Sequence, residues 1–154
     1  MRLNMTAAAA ILGMCLSMPL MAGSALSESL VAEGAKVVKS ISPEALKKMM
    51  ENEEKLIMLD IRESYMRPEG NIDAEEHVAI GRGVLEFDVE SAIPDKKAFV
   101  VVYCRTGKGA VLSAKTLIQD MGYSNVVYLK GGMEAWLEAG YPLFNHFGEI
   151  DVAE

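Results

Sequence analysis

Phe99-Val100-Val101-Val102-Tyr103-Cys104-Arg105-Thr106-Gly107-Lys108-Gly109-Ala110 runs from an apolar segment through a cysteine into a short basic loop with two glycines. Five apolar or aromatic residues in succession predict a strand buried on both faces, as in a parallel sheet. A helical pattern begins directly after the loop. A thiol at such a strand-to-helix turn has backbone N–H groups around it and a helix N-terminus beneath it. Surroundings of that kind favour the thiolate over the thiol, which makes Cys104 the candidate nucleophile.

On the C-terminal side, Val111, Leu112, Ala114, Leu117, Ile118 and Met121 fall at helical spacing over 110–121, with Gly122 placed as a left-handed cap. Val126 to Leu129 predicts the next strand. Gly131-Gly132 and a helix from Met133 to Ala139 carrying Trp136 follow. On the N-terminal side, Ser42-Pro43-Glu44 marks a helix start, with Ser as N-cap, Pro in the first helical position and an acid in the first turn. That helix is expected to reach about Asn52 and to bury Leu46, Met49 and Met50. Lys55 to Ile61 predicts a buried strand with Asp60 near its end. A polar segment holding Arg62, Glu63 and Arg67 is then broken by Pro68 and Gly70. His77 to Ile80 predicts a short strand, Gly81-Arg82-Gly83 a loop, Val84 to Phe87 the start of a short helix, and Ile93 to Lys97 a turn into the 99–103 strand.

Strands that alternate with helices imply a mostly parallel sheet covered on both faces. In such sheets ligands bind outside the carboxyl ends of the strands. Cys104 stands at one such end and Asp60-Ile61-Arg62 at another.

The N-terminus follows different rules. Arg2 precedes an almost wholly apolar run from Ala7 to Leu20, and Gly23-Ser24-Ala25 supplies small residues at a cleavage position. The pattern predicts a signal peptide over 1–25, because the run is shorter than the roughly 20 residues that span a bilayer. Met14 before Cys15 argues against a lipoprotein. A loosely held lead-in over 26–40, one domain over 41–145 and a C-terminal tail over 146–154 complete the expected organisation. Cleavage after Ala25 would leave 14 basic against 22 acidic residues, a net charge of −8. Such a surface argues against nucleic acid and, after cleavage, against a membrane partner. The exported chain, expected in the periplasm, would hold one cysteine and no internal disulfide. An inert buried thiol, an intermolecular bridge and a reactive site are the remaining readings.

Three chemistries compete for a reactive Cys104. Thiol redox exchange normally uses a second cysteine a few residues on, and Thr106 and Gly107 follow instead. A cysteine phosphatase needs an arginine six positions after the nucleophile, and residue 110 is Ala. Sulfur transfer needs a thiolate, donors around the terminal sulfur and positive charge for an anionic donor such as thiosulfate. The amides of Arg105, Thr106, Gly107, Lys108 and Gly109 can provide those donors, and Arg105 and Lys108 the charge. No metal or organic cofactor is required, and His77 and His146 are too isolated to suggest a metal site.

The chain resembles single-domain rhodaneses, the thiosulfate sulfurtransferase-like family, over about residues 41–143. The resemblance rests on Leu59-Asp60-Ile61-Arg62-Glu63, Gly70-Asn71-Ile72, Arg82-Gly83-Val84-Leu85-Glu86-Phe87, Val102-Tyr103-Cys104-Arg105-Thr106-Gly107, Met121-Gly122-Tyr123-Ser124-Asn125-Val126 and Gly131-Gly132-Met133-Glu134-Ala135-Trp136. It implies an α/β fold around a five-stranded parallel sheet and a persulfide carried on Cys104. Asp60 and Arg62 are expected to support the site. The acceptor would be a thiol, cyanide or a protein. The family's active loop reads Cys-Arg-x-Gly-x-Arg-Ser, and Gly109 and Ala110 stand where Arg and Ser are expected. Lys108 restores a positive charge one position early, without the guanidinium fork. Residues 71–81, with Asp73, Glu75 and Glu76, also depart from the family's His-, Pro- and Gly-rich pattern. The rival expectations are a non-catalytic rhodanese module acting as a sulfur carrier, sensor or partner-binding domain, and a thiol-redox protein forming a mixed disulfide through Cys104.

Overall fold

The computed structural model describes residues 22–150. Its centre is the apolar run quoted first, which forms β4 (Val100–Tyr103) with all four residues buried. Successive side chains of a strand point to opposite faces. Val100 and Val102 accordingly join one apolar layer with Leu59, Leu85, Val89, Ala114 and Leu117. Val101 and Tyr103 join the other with Leu46, Met58, Met133 and Trp136.

The flanking strands are β1 (Lys39–Ile41), β2 (Ile57–Asp60), β3 (Glu76–Ala79) and β5 (Val126–Leu129), and the sheet order is β1-β5-β4-β2-β3. All four pairings are parallel. Covering helices are α2 (Pro43–Glu51), α3 (Leu85–Ala92), α4 (Lys108–Gln119) and α5 (Gly132–Glu138), numbered after α1 (Ala22–Val37). The Ser42 N-cap forms as expected: its hydroxyl accepts the Ala45 N–H at 3.2 Å.

The chain builds outward from β2 to β3 on one side and from β4 to β5 on the other. The direction of winding therefore reverses between β2 and β4, the switch point where α/β sheets open a binding crevice. Asp60 and Tyr103 are paired across that junction, and the Ile61 N–H reaches the Tyr103 carbonyl at 3.0 Å. Cys104 and Arg62 thus leave neighbouring strands at the same level. A separate cavity of about 590 Å³, lined by Glu53, Glu54, Asp73, Glu75 and Glu76 among others, lies at the segments leading into β2 and β3.

Three elements differ from the sequence expectation. The lead-in is not loose: residues 22–37 form helix α1, which docks on α4, and residues 39–41 form an edge strand beside β5. Of residues 25–37 only Gly34 is buried, while Leu26, Leu30 and Val37 are exposed. Its contact depends on a missing side chain, because a Cβ on Gly34 would stand 2.7 Å from Val111 Cγ1. The C-terminal tail contributes a strand, since β7 (Gly148–Ile150) pairs antiparallel with β6 (Leu143–Asn145). Finally, α4 starts at Lys108, before the expected Ala110. Residues 1–21 of the expected signal peptide lie outside the described residues, and the expected cleavage position at Ala25 falls in the first turn of α1.

Candidate active site

Cys104 follows the last residue of β4 and is partly exposed; it is the one cysteine among the described residues. The loop after it turns at Gly107, whose φ of +80° makes it a left-handed N-cap of α4. A side chain there would also be blocked, since a Cβ would lie 3.0 Å from Leu129 O and Gly131 N. The Gly107 carbonyl takes the Val111 N–H at 3.0 Å. The N–H groups of Lys108, Gly109 and Ala110 are first-turn donors without an acceptor inside the helix, the arrangement that favours an anion at a helix N-terminus.

The loop is held from below by α5. The Met133 N–H donates to the Cys104 carbonyl at 2.9 Å, and the Glu134 N–H to the Arg105 carbonyl at 3.0 Å. This close seating requires Gly132, where φ is +62° and a Cβ would come within 2.5 Å of Gly107 N. The Gly-Gly-Met-Glu segment therefore anchors the cysteine loop.

Asp60 and Arg62 come together in the frame beneath it. Their exposures are 0% and 2%. Arg62 Nη2 meets Asp60 Oδ2 at 2.6 Å, while Nε bonds to both carboxylate oxygens at 3.0 and 3.1 Å. The remaining guanidinium contacts run to the Gly70 carbonyl at 2.7 Å and to Met133 Sδ at 2.9 Å. Burial disfavours the Arg62 charge, and the adjacent Asp60 carboxylate more than offsets this, raising the guanidinium pKa. Through Met133 the pair reaches the element that holds the Cys104 carbonyl.

Sequence reasoning missed how this frame continues. The Tyr103 hydroxyl donates to Asp60 Oδ2 at 3.0 Å and stands 3.1 Å from His77 Nε2. With its one proton given to Asp60, the hydroxyl accepts from His77, which assigns the Nε2–H tautomer. Burial, with Asp60 next, pushes the Tyr103 pKa well above its usual value. Burial also lowers the pKa of His77.

The cationic side chains face outward. Arg105 is 52% exposed and pairs with Glu134 at 3.1 Å and Glu69 at 3.5 Å. Lys108 pairs with Glu28 of α1. Thr106 is exposed at the loop tip. Gly109 flanks the thiol: a Cβ there would lie 3.5 Å from Cys104 Sγ and 3.5 Å from Ile61 Cδ1, ordinary contact distances. The three carboxylates come from distant parts of the chain; Glu134 lies in the Gly131–Trp136 motif, and no local motif marks Glu28 or Glu69.

The family comparison covers the stretch that holds this loop and its buried frame. Residues 42–139 match the model described as Rhodanese-like domain. The chain belongs to the rhodanese family. The putative sulfurtransferase YtwF of Bacillus subtilis is 32% identical over 99 residues, 64% of this chain and 90% of the relative. The thiosulfate sulfurtransferase GlpE of Pseudomonas aeruginosa is 32% identical over 111 residues, 72% of this chain and 94% of the relative. Among solved structures, the polysulfide-sulfur transferase homodimer of Wolinella succinogenes matches with a TM-score of 0.66 and 25% identity. That match covers 85% of this chain and 91% of the solved one. The expected five-stranded rhodanese-like α/β fold is therefore correct, and these relatives support a sulfurtransferase role.

Proposed function

We propose that the protein is an exported sulfurtransferase that moves a sulfane sulfur from an anionic donor of the thiosulfate type to a thiophilic acceptor through a persulfide on Cys104. The observation that carries this reading is the seat of Cys104: partly exposed, at the switch point, with the unpaired first-turn amides of α4 directly after its loop. The thiolate attacks the outer sulfur of the donor. The donor S–S bond breaks, sulfite leaves with its electron pair, and a persulfide anion remains on Cys104. Cyanide or an acceptor thiolate then attacks the terminal sulfur and removes it as thiocyanate or a new persulfide, which returns the Cys104 thiolate. The protein undergoes no net redox change. Amides of residues 105–109 stabilise the negative terminal sulfur, and Arg105 and Lys108 are the cations closest in sequence to the thiol.

Export rests on the leader pattern Arg2, Ala7–Leu20 and Gly23-Ser24-Ala25; the periplasmic fraction is expected to contain a chain starting at Leu26. The test of chemistry is thiosulfate-dependent formation of thiocyanate, assayed beside polysulfide as an alternative donor. Cys104→Ser is expected to abolish transfer from both, and activity surviving that substitution would overturn the assignment.

A second reading is favoured by the pairing of both loop cations with carboxylates: Cys104 accepts a sulfane sulfur and holds it for a protein partner without rapid turnover. In that case mass spectrometry after polysulfide treatment would show a stable gain of about 32 Da on Cys104, as for a persulfide, with negligible thiocyanate production.

A further inference from the structure

The cations that make the loop attractive to anions are compensated in the folded chain. Arg105 is held by Glu134 and Glu69, and Lys108 by Glu28. All the partners are about half exposed, so the pairs form at the mouth of the site and not in its frame. The Lys108 pair differs from the others in where its acid comes from. Glu28 lies on α1, outside the 42–139 segment that matches the family model. Helix α1 docks on α4, and Gly34 packs against Val111 two turns along from Glu28. Lys108 is the first residue of α4 and neighbours Gly109, the position that flanks Cys104 Sγ.

We infer that Glu28 is a specificity-determining residue: by pairing with Lys108 it lowers the positive potential at Cys104 and biases the site toward monoanionic sulfane-sulfur donors over dianionic ones. The inference rests on the sulfurtransferase reading above. Glu28 acts through Lys108 and touches no reacting atom. Signal cleavage after Ala25 would leave it in the mature chain.

The size of the effect follows from Coulomb's law. One unit of charge at about 10 Å in a water-like dielectric changes the encounter of a dianion by roughly fourfold and of a monoanion by roughly twofold. Salt above about 0.5 M removes most of it.

The experiment compares kcat/KM for thiosulfate, a dianion, and benzenethiosulfonate, a monoanion with the same kind of leaving group, in the wild type and in Glu28→Gln. The expected result is a gain of about fourfold for thiosulfate and about twofold for benzenethiosulfonate at low ionic strength, both lost at high salt. A second readout needs no turnover: the rate of Cys104 alkylation by iodoacetate divided by that by iodoacetamide should rise about twofold in Glu28→Gln. Gly34→Leu, which keeps Glu28 but displaces α1 from Val111, should shift the ratio in the same direction. An unchanged alkylation ratio in Glu28→Gln, or equal gains for both donors, would overturn the inference. A ratio that moves in Glu28→Gln but not in Gly34→Leu would overturn the part played by the docked helix. If the ratio rises while no variant transfers sulfur from any donor, the sulfurtransferase reading fails, and the donor preference fails with it.

Discussion

Two sets of ion pairs surround the Cys104 loop, one behind it and one in front. Behind, Asp60 and Arg62 are buried, and the guanidinium is further bonded to Gly70 and Met133. In front, Arg105 and Lys108 meet Glu134, Glu69 and Glu28 with about half of each side chain in solvent. The charges are the same, but the solvent differs. Removing one partner of a buried pair leaves an uncompensated charge in a low dielectric and costs about 3–5 kcal/mol. Exposed pairs contribute about 0–1 kcal/mol and are screened by salt. The rear pair therefore fixes the shape of the site, whereas the front pairs can be rearranged to tune its charge without endangering the fold.

The sharpest way to break this contrast is Arg62→Met. It should destabilise the protein by about 3–5 kcal/mol, seen by calorimetry as a fall in melting temperature on the order of 10 °C or more. A loss below about 1 kcal/mol would place Asp60–Arg62 with the exposed class of pair.

A smaller effect is expected from His77, at the far end of the same buried chain. Its folded-state pKa is lowered by burial, so below the ordinary value of about 6.5 the unfolded chain binds the proton more readily. Stability from the neutral ring is present above that value and is lost as pH falls through the lowered one. Denaturant titrations from pH 7.5 to 5 should show the wild type losing stability faster than His77→Gln; parallel curves would exclude the ring as the source.

Gly109 probes the front. A Cβ there meets its neighbours at ordinary contact distances, so Gly109→Ala should stabilise α4 by about 0.5–1 kcal/mol, measured by urea midpoint. Gly109→Arg adds a guanidinium at the position that flanks Cys104 and should raise thiosulfate turnover; an unchanged rate would mean that charge at this position does not limit the reaction. Glu134→Gln should have the least effect on stability, under about 1 kcal/mol, while steepening the fall of Cys104 alkylation by iodoacetate with added salt.

The rear frame and the loop were legible in the chain to different degrees. Cys104 to Gly109 are consecutive and follow an unmistakable buried strand, so their assembly at a strand end followed from local pattern alone. Asp60 and Arg62 share a strand end and could be assigned as supports. Their union with Tyr103, His77 and Met133 could not, because it depends on β3, β2 and β4 lying side by side and on α5 folding under the loop. Glu28 and Glu69 are ordinary surface acids in the sequence, Glu134 belongs to the Gly131–Trp136 motif, and only tertiary contact sets all three against Arg105 and Lys108. Helix α1 escaped for a related reason: it docks through a glycine, and its larger apolar residues Leu26, Leu30 and Val37 stay exposed.

That mode of docking also bears on temperature. Between residues 25 and 37, α1 buries only Gly34, whereas the strands of the sheet are packed on both sides. Elements with so little buried surface open locally at a lower free-energy cost than the domain as a whole. On warming, α1 should detach while the sheet and the Cys104 loop remain folded, and Glu28 would leave with it. Donor choice should then drift toward dianions over a range of temperatures in which the enzyme is still intact.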